Sequence, residues 1–460
     1  MESVDVLIIG CGPAGIFSAL ELMKSANDLN IMMIDKGPGL EKRQKEKGEF
    51  ILTGWGGTGA YSDGKLDLTP DVGGWLTDLF PYSQVEKLIK YTDNIWSTLA
   101  PEAGLYEYND DEVVKLKAKA RKVHLKLVPY NIRHLGSDLA PKVLKRAKKR
   151  IEERAEIKLE TEADKIILEG REVKGIKLAS GKEIRARYVI VAPGRSGAAW
   201  LRGEMNRLNV PLRNNPVDIG IRVETNAEIL EELTEILYEP KLYFFSPTYD
   251  ETVRTFCVNP YGYIVKEKYG DVVTTNGHSY EKKKSDNTNF ALLISSNFTQ
   301  PFRDPIRFGK HIGRLANMLS GGSVLIQRLG DLNNGRRSTE SRIQRSIVEP
   351  TLEDAVPGDI SYALPHRHLV SLLECLKALD KLASGLWSKH TLLYAAEVKF
   401  YSSRIEVTSQ LEAKGVKNLF AIGDGSGLTR GLIQSSASGI LAARSILLRE
   451  GVVEGKFPKE

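Results

Sequence analysis

Two glycine-rich loops, one near each end of the chain, set the first limit on its fold. Gly10, Gly12 and Gly15 follow the apolar run at residues 4–9, and residues 423–427 (GDGSG) follow the apolar run at 419–422. Short, continuous apolar runs predict strands buried on both faces of a parallel sheet. Residues 16–24 then place Ile16, Phe17, Ala19, Leu20 and Met23 on one helical stripe. One strand–loop–helix unit suggests only an anion site. A pair at the two ends suggests a single ligand-binding domain whose halves are far apart in sequence.

Each glycine of the first loop has a mechanical use: Gly10 for the tight turn, Gly12 for the approach of a pyrophosphate, Gly15 for close helix–strand packing. The helix opening at Pro13 and Ala14 offers free N–H groups and the positive end of its dipole to phosphates. A second apolar run, residues 31–34, ends in Asp35 and Lys36. That acid stands about 20 residues beyond the motif, where it reaches a ribose hydroxyl. The order predicts dinucleotide binding and leaves the choice between a flavin and a nicotinamide dinucleotide open.

Three further features bear on that choice. Residues 53–60 (TGWGGTGA), which include Gly56, Gly57, Thr58 and Gly59, are too rich in glycine for a helix or central strand and suit a loop beside a bulky planar ligand. Residues 188–197 predict a buried strand ending in a flexible turn at Ala192 and Gly194, preceded by short strands at 157–160, 163–168, 173–178 and 183–186. The C-terminal loop leads into a predicted helix over 432–448.

In these stretches the chain resembles the two-dinucleotide-fold flavoprotein superfamily, that of glutathione reductase. Within it, residues 54–65 (GWGGTGAYSDGK), 133–138 (RHLGSD), 254–260 (RTFCVNP), 276–279 (NGHS), 289–293 (NFALL) and 397–404 (EVKFYSSR) resemble the NAD(FAD)-utilizing, FAD-dependent dehydrogenase family of bacteria and archaea. The resemblance implies an α/β class: a glutathione reductase-like FAD/NAD(P)-binding Rossmann domain with an inserted α+β substrate domain. It also implies non-covalent FAD. The pyrophosphate would sit on Gly10, Gly12, Pro13, Ala14 and Gly15, and the adenosine ribose on Asp35, beside Lys36. Gly56, Gly57, Thr58 and Gly59 would pass along the ribityl and pyrophosphate, near Ala192 and Gly194, and Ala163 would meet the adenine through its backbone. Gly423 would lead to Asp424, which would hold a ribityl or pyrophosphate oxygen. Gly431, Leu432 and Ile433 would aim backbone N–H groups at the flavin N1/C2 carbonyl.

At 460 residues, with 42% hydrophobic and 27% charged, the chain is expected to be globular with two or three domains. The expected division is 1–68 with 120–205 as the first part of the FAD-binding domain, 69–119 as a helical and hairpin insertion, 206–392 as a substrate (cap) domain, and 393–460 as the C-terminal part of the FAD-binding domain. No apolar run reaches the roughly 20 residues of a membrane span. The first strand starts almost at Met1 and leaves no room for a signal peptide, so a cytoplasmic location is expected. Cys11, Cys257 and Cys375 form no CxxC pair, which removes the disulfide reductases, and no metal-ligand spacing is present, so no metal is expected. Basic runs at 115–126 and 142–150 read as solvated helix faces rather than a nucleic-acid surface, the net charge being only +6. Abundant Lys and Glu fit a thermophile. With one GxGxxG, NADH or NADPH would serve only as a transient electron donor. The oligomeric state is unconstrained.

Candidate chemistry falls on polar residues able to face a flavin ring. Glu397, Lys399 and Tyr401 alternate along a predicted strand, either toward the ring or toward solvent, and Arg404 follows. His278 lies in a turn-rich segment as an acid/base or a surface residue. Arg254 would clamp a carboxylate or make a surface salt bridge. His134 precedes a helix expected to be capped by Ser137 or Asp138, and Arg336, Arg337, His366 and His368 are loop cations. The expected function is an FAD-dependent oxidoreductase that moves hydride through flavin N5 to or from a small molecule, with His278, Lys399, Tyr401 and Arg404 as catalytic residues. The alternatives are an FAD monooxygenase and an FAD-containing binding protein without turnover.

Overall fold

The first strand, Glu2–Ile9, needs a partner on each edge and cover on each face, because Val6, Leu7 and Ile8 are all fully buried. In the computed structural model, which describes residues 2–26, 28–46, 52–62, 64–280 and 283–458, it lies inside a seven-stranded sheet. Side chains 137 and 138, expected to cap a helix, lie outside the described residues. The strand pairs in parallel with Ile31–Ile34 on one edge, which pairs in turn with Ala155–Lys158. Its other edge pairs in parallel with Glu183–Val191.

Glu183–Val191 serves two neighbours on its far side. Residues 183–185 pair antiparallel with Glu172–Leu178, and residues 189–191 pair in parallel with Leu419–Ala421. The expected separate strand at 183–186 is therefore the first half of a nine-residue strand. Ala163–Glu169 completes the antiparallel ribbon. The two ends of the chain thus share one Rossmann-like sheet. Helices Pro13–Ser25 and Leu432–Arg449 pack closely, since a methyl group at Gly439 would lie 2.2 Å from the Ala14 carbonyl oxygen. Ser18 Oγ donates to the carbonyls of Ala14 at 2.8 Å and Gly439 at 3.1 Å.

This first unit comprises Met1–Leu105, Arg133–Asn215 and Tyr401–Glu460; the second comprises Tyr106–Ile132 and Pro216–Phe400. The second is built on an eight-stranded, mostly antiparallel sheet. Its central strand Val217–Asn226 lies between Asn287–Ser296 and Leu392–Lys399. Val217, Ile219, Ile221 and Val223 share an apolar core with Leu372, Leu376 and Leu379 of helix His366–Asp380. Asp218, Arg222 and Glu224 occupy the alternate positions, and they too are fully buried. The hairpin of Tyr263–Tyr269 and Val272–His278 lies against that polar face, where Thr275 Oγ1 donates to Glu397 at 2.6 Å.

The boundaries shift accordingly. Leu392–Lys399 is buried along its whole length inside the second unit's sheet, so residues 393–400 fall with that unit rather than with the C-terminal part of the first. Leu125–Val128 pairs with Lys241–Phe245 at the edge of the same sheet, which moves residues 106–132 there as well.

Candidate functional site

In the first unit the predicted glycine loops meet. A methyl group at Gly10, whose φ is +104°, would fall 2.1 Å from the Ala192 carbonyl oxygen, and one at Gly15 would fall 2.0 Å from the Gly10 carbonyl oxygen. These two glycines are required by packing. At Gly423 it would come within 2.9 Å of Ala14 Cβ, and at Gly425 within 2.7 Å of the Gly194 carbonyl oxygen. At Gly59 it would lie 3.0 Å from Leu432 Cδ2 and 3.3 Å from Pro13 Cγ. Segments from five parts of the sequence therefore converge on one rim.

Three glycines of that rim face space instead. Among the described residues, a methyl group at Gly12 would meet only Gly57 Cα at 4.0 Å, one at Gly431 (φ +100°) only Gly73 Cα at 3.9 Å, and one at Gly194 nothing within 4 Å. Helices Pro13–Ser25 and Leu432–Arg449 begin at Gly12 and Gly431 with no side-chain cap and no acid in the first turn. Their free N–H groups and positive dipole ends are suited to anionic oxygens. The residues present fit a dinucleotide: open glycines stand where its backbone must approach, and uncapped helix starts stand where its charge must be met.

Asp35 has a second duty. Its carboxylate accepts from Cys11 N at 2.9 Å and from Gly37 N and Gly54 N at 2.8 Å, tying the first loop to the second. A carboxylate offers about four acceptor positions, and the described residues fill three of them. Lys36 beside it is exposed, and Ala163 is half-buried at the start of its strand. The loop at 54–59 is held by two residues outside the predicted set. Arg43, fully buried, donates to the carbonyls of Trp55 at 2.5 Å and Gly57 at 2.8 Å, and Trp55 Nε1 donates to the Leu144 carbonyl at 2.9 Å. Arg43 sits in a run of charged residues (LEKRQK) with nothing to distinguish it, whereas Trp55 inside a glycine loop was a visible anchor. Thr58 lies in the 3₁₀ turn Gly57–Tyr61.

Asp424 accepts from Thr429 Oγ1 at 2.9 Å. Burial raises its carboxyl above the ordinary value, against the opposing charges of Arg195 and Arg430. Arg430 also lies over the Tyr401 ring, 4.4 Å from its centroid, and Trp75 meets that ring edge-on at 5.2 Å. Arg404 Nη1 pairs with Asp78 at 2.5 Å. A strap at residues 70–75 crosses the start of the C-terminal helix: Arg430 N donates to Gly73 O at 2.6 Å, and Gln434 Nε2 donates to the carbonyls of Pro70 at 3.1 Å and Val72 at 2.7 Å.

The second unit holds the other two predicted catalytic residues. Arg222 makes a two-pronged pair with Glu397 (Nε and Nη2, each 3.0 Å), both fully buried, and its Nη1 donates to Asn289 Oδ1 at 2.7 Å. Lys399 Nζ lies 2.9 Å from Glu397 and 3.3 Å from Glu267. Burial works against the Lys399 ammonium, but Glu397 and Glu267 more than reverse it and its pKa is raised. Burial likewise opposes the Glu397 carboxylate, yet Arg222 and Lys399 hold its pKa below the ordinary value. A methyl group at Gly277 would fall 2.2 Å from both Arg222 Nη1 and Asn259 Nδ2, so only glycine lets the hairpin settle here. His278 ends the strand Val272–His278 half-buried, its ring 6.2 Å from that of Tyr280.

Each unit thus carries two of the four. Glu397 and Lys399 do share a face, but Tyr401 lies past the end of the strand, which stops at Lys399, so the expected three-residue alternation fails. Neither of the two expected orientations describes Lys399 and Glu397, whose face is covered by the hairpin. Arg254 is not the surface salt bridge expected: its side chain is largely buried and pairs internally with Asp218. Cys11 is buried and its thiol pushed well up, chiefly by burial, which makes it a packing residue. Among the described residues no group of three His, Cys, Asp or Glu is placed to hold a metal, and no helix is long and apolar enough to cross a membrane.

Residues 216–400, the main segment of the second unit, match the family described as "FAD-dependent protein, C-terminal domain-like". No curated protein matches the chain by sequence. Among solved structures it is similar to L-proline dehydrogenase from P. horikoshii (13% identity, TM-score 0.43, covering 98% of this chain and 95% of that one). It is also similar to L-amino acid deaminase from Proteus vulgaris (13%, 0.41, 97% and 94%) and to pqsL, a probable FAD-dependent monooxygenase from Pseudomonas aeruginosa (13%, 0.39, 98% and 88%). Likenesses this distant carry no argument about the reaction. The family match over this segment gives FAD as the cofactor.

Proposed function

We propose that the chain is a dehydrogenase or reductase of glutathione reductase-like architecture, moving hydride between FAD and a small molecule, with NADH or NADPH as a transient donor. The reading rests most on the open glycines 12, 194 and 431 beside two uncapped helix starts. FAD, when bound, supplies a hydride acceptor and donor at N5. The start of helix Pro13–Ser25 would receive the pyrophosphate, with Gly57, Thr58 and Gly59 beside it. Asp35 would take the adenosine ribose, the Ala163 backbone the adenine, and Asp424 a ribityl oxygen. N–H groups of Leu432 and Ile433 would favour negative charge on the flavin N1/C2 edge.

Each unit's own residues have distinct tasks. Tyr401, its ring held between Trp75 and Arg430, would give up or take a proton at its hydroxyl. Arg404 would exchange Asp78 for a substrate carboxylate. His278 would serve as acid or base. Lys399, buried beneath the hairpin and kept charged by Glu397, would be a structural cation rather than a catalytic one. Anaerobic photometry of the FAD-loaded protein against NADH, NADPH and a metabolite panel tests the reading, repeated with Tyr401→Phe, Arg404→Gln and His278→Gln. Reduction and turnover near wild type in all three would remove the residue assignment. Oxygen uptake matched to a hydroxylated product would replace the dehydrogenase with a monooxygenase.

A further inference from the structure

Residues 328–345 of the second unit hold Arg328, Arg336, Arg337, Arg342 and Arg345 against two acids, Asp331 and Glu340. Asp331 is the hub. It is fully buried and accepts from Arg328 Nε and Arg336 Nε, each at 3.0 Å, and from Ser338 Oγ at 2.8 Å, with Arg342 Nε at 3.9 Å. Burial would raise its carboxyl, but the bonds from Arg328, Ser338 and Arg336 outweigh that and lower it. A single negative charge therefore gathers three guanidiniums and leaves positive charge in excess at a fixed place.

Arg336 and Arg342 face the same oxygen, Asp331 Oδ1, so their guanidiniums are neighbours. The Arg336 side chain is 49% exposed although its Nε is anchored. Arg342 Nη1 donates to the Arg337 carbonyl at 2.8 Å, which draws Arg337 into the group. Lys389 packs on the same turn, since a methyl group at Gly330 would lie 2.6 Å from its Cβ. Exposed Arg337, Arg345 and Lys389 add to the same positive field.

We propose that this cluster is a binding site for a phosphate monoester, held by the guanidiniums of Arg336 and Arg342 in the field of Arg337 and Lys389. Guanidinium forks match the spacing of phosphate oxygens and form charge-assisted, paired hydrogen bonds with them. Asp331 and Ser338 hold the two arginines in place beforehand, which lowers the entropy lost on binding. The compact hub favours one discrete dianion over the extended track a nucleic acid requires. The same chemistry is presented by free phosphate, by a phosphorylated metabolite, and by the 2′-phosphate of NADPH. The proposal does not depend on the hydride-transfer reading.

Calorimetric titration of the FAD-loaded protein at low salt with inorganic phosphate, adenosine 2′,5′-bisphosphate, NADPH and NADH tests it. Saturable binding of the first three is expected, weakened roughly tenfold or more in Arg336→Gln and in Arg342→Gln and unchanged in Arg202→Gln, an exposed arginine of the first unit. Tighter binding of the bisphosphate and NADPH than of phosphate would identify a nucleotide as the source; equal binding would identify free phosphate or another ester. Absence of binding by both phosphate and the bisphosphate overturns the proposal. So does affinity unchanged in both variants, or a single-stranded oligonucleotide that displaces phosphate with a steep salt dependence. If a variant fails to fold, judged by its melting curve and flavin spectrum, exposed Arg337→Gln replaces it, and unchanged affinity there has the same meaning.

Discussion

Replacing Glu397 by glutamine removes one charge and almost no volume from a place where two cations depend on it. Arg222 uses both carboxylate oxygens at 3.0 Å, and Lys399 Nζ is 2.9 Å away. None of the three has more than 2% of its side chain exposed. Glu267, 21% exposed and 3.3 Å from Lys399, would remain as a partial balance. Breaking a buried pair from one side costs about 3–5 kcal/mol, and with two cations left behind the upper half of that range is expected. For a domain of this size the melting temperature should fall by roughly 10–20 °C.

Differential scanning calorimetry of the FAD-loaded protein reads the change, with urea unfolding as a second measure. The matched control replaces the whole group by apolar residues: Arg222→Met with Glu397→Leu and Lys399→Met. It should be at least as stable as the single variant, because no charge is left buried. The pH dependence has a definite sign. Glu397 titrates below its ordinary 4.5, so its contribution is complete above that value and is lost as pH falls through the lowered pKa. Lys399 titrates above its ordinary 10.5, so its contribution is complete below that value and is lost as pH rises through the raised pKa. A Glu397→Gln melting point within about 2 °C of wild type, or a triple variant weaker than the single one, would refute the coupling.

Other expectations follow from single contacts. Gly277→Ala should destabilise the second unit by roughly 3 kcal/mol, measured in urea, since its methyl group would displace Arg222 or Asn259. Gly12→Ala should leave the melting point of the FAD-free protein within about 2 °C of wild type while weakening FAD roughly tenfold or more. Gly10→Ala should destabilise the FAD-free protein itself, because its methyl group would meet backbone at 2.1 Å. His368 is buried, and desolvation followed by the Arg367 charge lowers its pKa from 6.5 to about 4. The folded state resists the proton, so stability should fall by up to about 3 kcal/mol as pH drops from 6.5 to 4, and His368→Phe should flatten that slope in pH-dependent melts.

The first unit was legible because its constraints are local. A glycine at a tight turn, a helix start without a cap and a strand apolar on both faces are written within a few residues of one another. Arg43 escaped notice because what it holds, the carbonyls of Trp55 and Gly57, belongs to a neighbouring loop with no sequence code for a guanidinium partner. In the second unit Asp218, Arg222 and Glu224 alternate with apolar residues, a spacing that taken alone fits a strand with one wet face. The face is dry because a hairpin some fifty residues later in the chain covers it. The same distance effect shifted the domain boundary, since Leu125–Val128 finds its partner only at Lys241–Phe245.

The strand Glu183–Val191, with different neighbours along the two halves of one edge, also orders events during synthesis. Residues 183–185 can join their antiparallel neighbour as soon as they emerge, because Glu172–Leu178 precedes them. Residues 189–191 must wait for Leu419–Ala421, more than two hundred residues later. Until then the nascent sheet carries a short, apolar, unpaired edge in the half that adjoins the glycine loops. A stalled or shortened chain would present that edge to its neighbours, and the last strand acts as the stopper that closes it.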